Sequence, residues 1–227
     1  MQQDFPLFVF DGHLLFEYDG LTVLIDSGSP VTISAQDRIN FMGTTFGCRE
    51  FFIHNNIQDI GTWMGHEVDV MMGLDVLSHF SILVDIQQAK ITFSDEPLSQ
   101  DGVKLPMEQC HGFFAINFSV NKKPVKMIFD TGAKISYINP ELTQNMEPIC
   151  ELDDFSPLIN ARFRTPIYQF NADACGKQFN AAFGNLPVQL DGILEQLGVD
   201  GFIGHELFKA FKASIDFENC EMTLSPH

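Results

Sequence analysis

The chain superposes on itself. Residues 25–34, Ile-Asp-Ser-Gly-Ser-Pro-Val-Thr-Ile-Ser, lie on residues 129–138, Phe-Asp-Thr-Gly-Ala-Lys-Ile-Ser-Tyr-Ile, at an offset of 104. A second match sets residues 70–80 on 201–211 at an offset of 131. It continues without a gap through Val84-Asp85 on Ile215-Asp216 and Ile91-Thr92-Phe93 on Met222-Thr223-Leu224. The offsets differ by 27, so the second copy holds 27 additional residues between its two motifs. Self-similarity at this scale restricts the fold to two copies of one unit that bury surface against each other. The predicted organisation is a first lobe over residues 1–94, a connection over 95–110 and a second lobe over 111–227. Pro97, Pro106 and the acidic residues around Asp95 mark that connection.

Each copy reads mainly as strands. Leu14 to Tyr18 and Leu21 to Ile25 are apolar-rich runs separated by Asp19-Gly20, the signature of a tight hairpin. In the second copy, Ala115 to Val120 and Val125 to Phe129 flank a looser turn at Asn121 to Pro124. After Met71-Met72-Gly73 and Phe202-Ile203-Gly204, apolar residues recur at helical spacing (Leu74, Leu77, Phe80; Leu207, Phe208, Phe211). A hairpin over Ile82 to Ile86 and Lys90 to Phe93 follows in the first copy. The predicted fold is therefore all-β, with one short helix per lobe. A composition that is 45% hydrophobic, with 23 Phe, supplies core for both lobes.

The repeated segments carry chemistry. Asp26 and Asp130 each end an apolar strand, where a carboxylate is costly unless something compensates it. Two such carboxylates about 3 Å apart cannot both ionise, and the pair then holds one proton over a wide pH range. The ionised member can take a proton from water while the protonated one donates to a carbonyl oxygen. The residues around them suit that task. Ser27 and Thr131 offer hydroxyls to tie the two turns together, and Gly28 and Gly132 let backbone amides approach the carboxylates. Met72-Gly73 and Ile203-Gly204 can pack closely behind the turns.

On these residues the chain resembles the aspartic proteases of the pepsin/retropepsin type, in which each lobe contributes one Asp-[Ser/Thr]-Gly and one apolar-apolar-Gly motif. The resemblance covers both ends of both lobes. It implies a bilobed acid-protease fold of two homologous β-barrel-like lobes with the active site between them. By the same resemblance Asp26 and Asp130 are the catalytic pair, and Ser27, Gly28, Ser29, Thr131, Gly132 and Ala133 form the supporting turns. Met72, Gly73, Ile203 and Gly204 back them. The reaction implied is endopeptidase hydrolysis of an extended polypeptide, with no cofactor and no metal, by a monomer that is a pseudo-dimer in one chain.

Departures from the family pattern carry their own expectations. The Gly-Arg-Asn/Asp of retroviral enzymes is absent, since Leu74-Asp75 and His205-Glu206 follow the glycines. No Tyr lies between Asp26 and Gly73, where pepsin-like enzymes carry a flap tyrosine. A short first-lobe flap is predicted over Phe41 to Phe52, turning near Gly43 and Gly47, and a second-lobe lid within Asn160 to Gly184, including Tyr168. Glu147, Glu151, Asp153 and Asp154 read as a solvated acidic loop. Ser29 can donate to the outer oxygen of Asp26 where Ala133 cannot serve Asp130, which predicts Asp26 as the ionised member and Asp130 as the proton holder.

A net charge of -17 argues against nucleic acid or an anionic membrane as partner. Five scattered Cys without a C-x-x-C read as free thiols of a reducing, cytoplasmic setting, and neither a signal peptide nor a membrane span is visible. His66-Glu67 and His205-Glu206 do not extend to H-E-x-x-H, because Val70 and Lys209 occupy the fourth positions. Two alternatives stand beside the protease: a catalytically silent protease-like binding or dimerisation module, and a small actin-like phosphotransferase.

Overall fold

The computed structural model describes residues 1–190 and 192–227. Strands dominate, and the two copies build the same frame. In the first, His13–Tyr18 and Leu21–Ile25 form the predicted hairpin, with Asp19 and Gly20 both at positive φ. Two left-handed residues match the right-handed twist of the flanking strands, which makes this the preferred two-residue turn. In the second copy, Phe113–Val120 and Lys123–Phe129 are joined by Asn121-Lys122, also both at positive φ. That turn is tighter than predicted, because Pro124 sits inside the strand opposite Ser119.

The end of each hairpin is threaded the same way. Val23, Leu24 and Ile25 pair in parallel with Val70, Met71 and Met72, and Ile33-Ser34 pairs antiparallel with Met71 and Val70. Met127 to Phe129 pairs in parallel with Gly201 to Ile203, and Tyr137-Ile138 pairs antiparallel with Phe202-Gly201. The apolar-apolar-Gly segments are thus central strands flanked on both sides, which is why they carry no polar residue. They lead into the helices Leu74–Leu77 and His205–Ala210, shorter than their apolar spacing predicts. Each lobe has a further helix, Ile57–Met64 and Ile193–Leu197. The first is opened by a reciprocal cap in which Asn56 accepts from Asp59 N–H and Asp59 accepts from Asn56 N–H. Gly61, Trp63 and the terminal Gly65 disguise this helix in the sequence.

The lobes are joined by one continuous sheet. Ser81–Asp85 of the first lobe pairs antiparallel with Lys212–Asp216 of the second, Ser81 opposite Asp216. On either side lie the equivalent hairpin partners, Lys90–Ser94 and Glu221–Ser225, and outside these Gln2–Pro6 and Val103–Pro106. Val103–Cys110, inside the stretch predicted as connection, is thus a strand; Val103, Leu105 and Met107 alternate inward despite Pro106. The larger apolar core runs through this sheet, and Phe5, Phe16, Phe41, Phe80 and Phe93 pack ring against ring within it. Tilted and edge-on ring pairs of this kind add to the area they bury.

The additional residues of the second copy form a long meander, Cys150–Ser156, Ala161–Ala174 and Lys177–Gly184. The equivalent span of the first lobe holds only the small hairpins Arg38–Phe41/Thr44–Gly47 and Phe51–Phe52/Asn55–Asn56. All five cysteines are free. Among the described residues no helix is long and apolar enough to cross a membrane.

Candidate active site

The threaded strands bring the two Asp turns together. Asp26 N–H donates to Met72 O and Asp130 N–H to Ile203 O, both at 2.9 Å, so each Asp is pinned to the apolar strand behind it. Across the lobe boundary the following residues exchange bonds. Ser27 N–H donates to Thr131 Oγ1 (2.9 Å) and Thr131 N–H to Ser27 Oγ (3.0 Å). Ser27 Oγ–H in turn donates to Phe129 O and Thr131 Oγ1–H to Ile25 O, each at 2.9 Å. Both hydroxyls are buried and fully used as donor and acceptor.

The glycines are required for this approach. A Cβ on Gly28 would lie 2.4 Å from the Asp130 carboxylate, and one on Gly132 would lie 2.5 Å from that of Asp26. Their amides donate to the carboxylates of their own turns, Gly28 to Asp26 Oδ1 (2.9 Å) and Gly132 to Asp130 Oδ1 (3.0 Å). Gly73 and Gly204 meet the backs of the turns: a Cβ would sit 2.4 Å from Val31 O and 2.3 Å from Ala133 O. In the first lobe Gly73 N–H also donates to Thr32 Oγ1, whose own proton goes to Asp75. In the second, Ser136 Oγ accepts from Gly204 N–H, and Glu206 instead accepts from Ala182 N–H.

Burial pushes both carboxyls above the ordinary carboxylate range, Asp26 furthest, and the negative charge of Asp130 raises Asp26 further. The pair therefore retains a proton where an exposed carboxyl has lost it. The predicted asymmetry is absent. Ser29 Oγ–H donates to Val31 O (2.7 Å), and Ser29 and Ala133 both reach the carboxylates through backbone N–H alone. The shared proton belongs to the pair, and no difference in side-chain donors seats it on Asp130.

The dyad opens into a cavity of about 350 Å³ between the lobes. Its walls are largely apolar, with Met71, Phe52 and Ile60 from one lobe and Ile128, Phe163 and Phe202 from the other. The predicted first-lobe flap does not wall it. Phe41 and Met42 are buried in their own lobe's core, because the hairpin folds inward on its apolar tip, and only Phe52 of that window reaches the cavity. The second-lobe lid begins earlier than predicted: Asp154 to Leu158 and Phe163 line the cavity, while Tyr168 packs against the main core.

Of the predicted acidic loop, Glu151, Asp153 and Asp154 lie on the strand Cys150–Ser156, and Glu147 precedes it. Asp153 and Glu151 point outward toward Arg164, whereas Asp154 is 8% exposed and accepts the Tyr137 hydroxyl. Alternation along a strand decides this, and a run of carboxylates conceals it. His13 also escapes the motif. Buried in the hairpin strand, its Nδ1–H donates to Gly132 O across the lobe boundary (2.9 Å), and burial brings it down to about 4, so it is neutral. It lies outside the repeated motifs, between the Asp11-Gly12 turn and the strand that leads to Asp26, and nothing local to it signals a contact with Gly132.

No family model matches the chain, and no curated protein matches it in sequence. In fold it is similar to the aspartic proteinase from Irpex lacteus, with a TM-score of 0.55 and 11% identity. The match covers 100% of this chain and 97% of that one. The fold is thus the bilobed, mostly β architecture of an aspartic proteinase, without the strand–helix alternation a phosphotransferase of actin type requires.

Proposed function

We propose that the protein is an aspartic endopeptidase that hydrolyses peptide bonds with water activated between Asp26 and Asp130. The observation that carries this reading is the reciprocal Ser27–Thr131 exchange, which holds two half-buried aspartates at the floor of an apolar cavity. Such a pair has one proton to give and one to take. The ionised oxygen removes a proton from water, and the carboxyl that keeps its proton donates to the scissile carbonyl oxygen. The resulting gem-diol then collapses as a proton passes to the leaving amine. Gly28 and Gly132 N–H hold the carboxylates in place throughout. The apolar walls favour apolar residues beside the scissile bond of an extended polypeptide.

Since one chain supplies both carboxyls, the active unit is a monomer. Five unpaired cysteines fit a reducing, cytoplasmic setting. The experiment is hydrolysis of a peptide library by the wild-type protein and Asp26→Asn, with a statine-type analogue as inhibitor. Cleavage by the wild type, blocked by the analogue and lost in the variant, is expected. Equal cleavage by both proteins, or none by either, sinks the reading and leaves a binding module.

A further inference from the structure

Asp154 is a third carboxyl lining the cavity, itself buried, and the water-activating pair does not use it. It lies on the outer strand of the second-lobe hairpin, Cys150–Ser156 with Ala161–Ile167. Its Oδ2 accepts the hydroxyl of Tyr137, seven residues beyond Asp130 on a strand of the lobe body, and its Oδ1 accepts Phe155 N–H (2.9 Å). The next residue faces the other way. Phe155 stacks on Trp63 of the first-lobe helix at 5.5 Å and 18°. Arg162, opposite Phe155 in the hairpin, lies over the same indole at 5.7 Å and donates to Trp63 O (2.7 Å). Asn55 Nδ2–H donates to Pro157 O at the hairpin tip (3.1 Å). One dipeptide, Asp154-Phe155, thus ties the hairpin inward to its own lobe and outward to the other.

We propose that Asp154 is a positioning residue: through Tyr137 it seats the second-lobe hairpin beside the dyad, in the register that lets Phe155 and Arg162 clasp Trp63 and close the cavity. This rests on the endopeptidase reading for its effect on turnover, but the seating itself is a property of the fold. Tyr137 is held neutral by burial and by the charges of Asp154 and Asp130, so it is always the donor. The other groups acting on Asp154 are Lys134, which favours its ionised form, and Asp11, which opposes it; these two are paired with each other (2.7 Å). Burial outweighs the bonds from Tyr137 and Phe155 and raises Asp154. A hairpin swung into solvent relieves that burial, so the seated form binds the proton more tightly and acidification favours the seat.

The chain's single tryptophan is the indole in the clasp, which supplies a readout independent of catalysis. Trp63 emission and iodide quenching are measured against pH for wild type, Asp154→Ala and Asp154→Asn, alongside kcat/KM on the best library peptide. Asp154→Ala is expected to shift emission to the red, raise quenching and lower kcat/KM about tenfold, the loss of one net hydrogen bond. Asp154→Asn keeps the acceptor for Tyr137, so it restores wild-type emission at low pH and most of the activity. The wild type is expected to become more quenchable as pH rises above the ordinary carboxylate range, whereas Asp154→Asn stays flat. Wild-type quenching in Asp154→Ala, or the same pH response in Asp154→Asn, overturns the proposal. The emission measurements decide it even if the wild type cleaves nothing, and hydrolysis with unaltered emission in the variants removes this inference alone.

Discussion

Thr131→Val tests the bond exchange between the lobes with little change of volume. The valine keeps the methyl and replaces Oγ1, which accepts Ser27 N–H and donates to Ile25 O, each at 2.9 Å. Ser27 is 1% exposed and Thr131 3%, so water does not replace the lost partner without opening the lobe boundary. An orphaned buried donor costs about 1–3 kcal/mol and the second bond about 1 kcal/mol, giving roughly 2–4 kcal/mol in all. At roughly 2–4 °C per kcal/mol for a chain of this size, the thermal midpoint falls by about 4–16 °C. Activity falls further than stability. The exchange sets how the two carboxylates face each other, and a displacement of about 1 Å in such a pair costs about a hundredfold in turnover. Scanning calorimetry and kcat/KM on the same preparation measure both. Ser27→Ala is the mirror perturbation, and the double variant is expected to lose less than the sum, because each hydroxyl serves the other's amide. A Thr131→Val protein within about 1 °C and twofold of wild type would refute the claim that this exchange holds the site.

Gly28→Ala places a methyl 2.4 Å from the Asp130 carboxylate; loss of hydrolysis by at least about a hundredfold is expected, with circular dichroism showing a folded chain, and retained activity contradicts it. Asp26→Asn is expected to raise the thermal midpoint while abolishing cleavage. The folded values of both carboxyls lie above the unfolded 3.8, so the wild type has this contribution in full below 3.8 and loses it as pH rises through the raised values. The variant's advantage should therefore grow from acid toward neutral pH; a constant difference counts against burial as the cause. His13 works in the opposite direction. Its folded value of about 4 lies below the unfolded 6.5, so its contribution, about 3 kcal/mol, is present above 6.5 and lost as pH falls toward 4. Asn at position 13 retains a donor for Gly132 O without titrating, and urea midpoints at neutral and acid pH should show a shallower acid decline.

Much of the frame can be read along the chain because local chemistry carries it. Asp19-Gly20 forces its hairpin whatever surrounds it, and the Asp-[Ser/Thr]-Gly turns need a hydroxyl and a glycine at fixed offsets. The helix Ile57–Met64 is hard to read because Gly61 and Trp63 within it and Gly65 just after it break the apolar rhythm, although its capping box carries a start signal. The acidic run at Glu151 to Asp154 misleads for a different reason: composition marks it as solvated, but strand alternation turns one of its carboxylates inward. The Ser29 hydroxyl was close enough in sequence to serve Asp26, yet a nearer carbonyl at Val31 takes its proton.

The duplication, the pairing of one Asp turn from each copy and the apolar-apolar-Gly strands behind them follow from residue identity, since glycine, hydroxyl and carboxylate at those spacings admit few other uses. Which copy closes the cavity does not. It depends on Phe41 and Met42 preferring their own core to the cleft, on Asp154 finding Tyr137, and on Trp63 meeting Phe155 and Arg162 from the other lobe. These are contacts between residues far apart in the chain, fixed by packing and burial that no local spacing encodes.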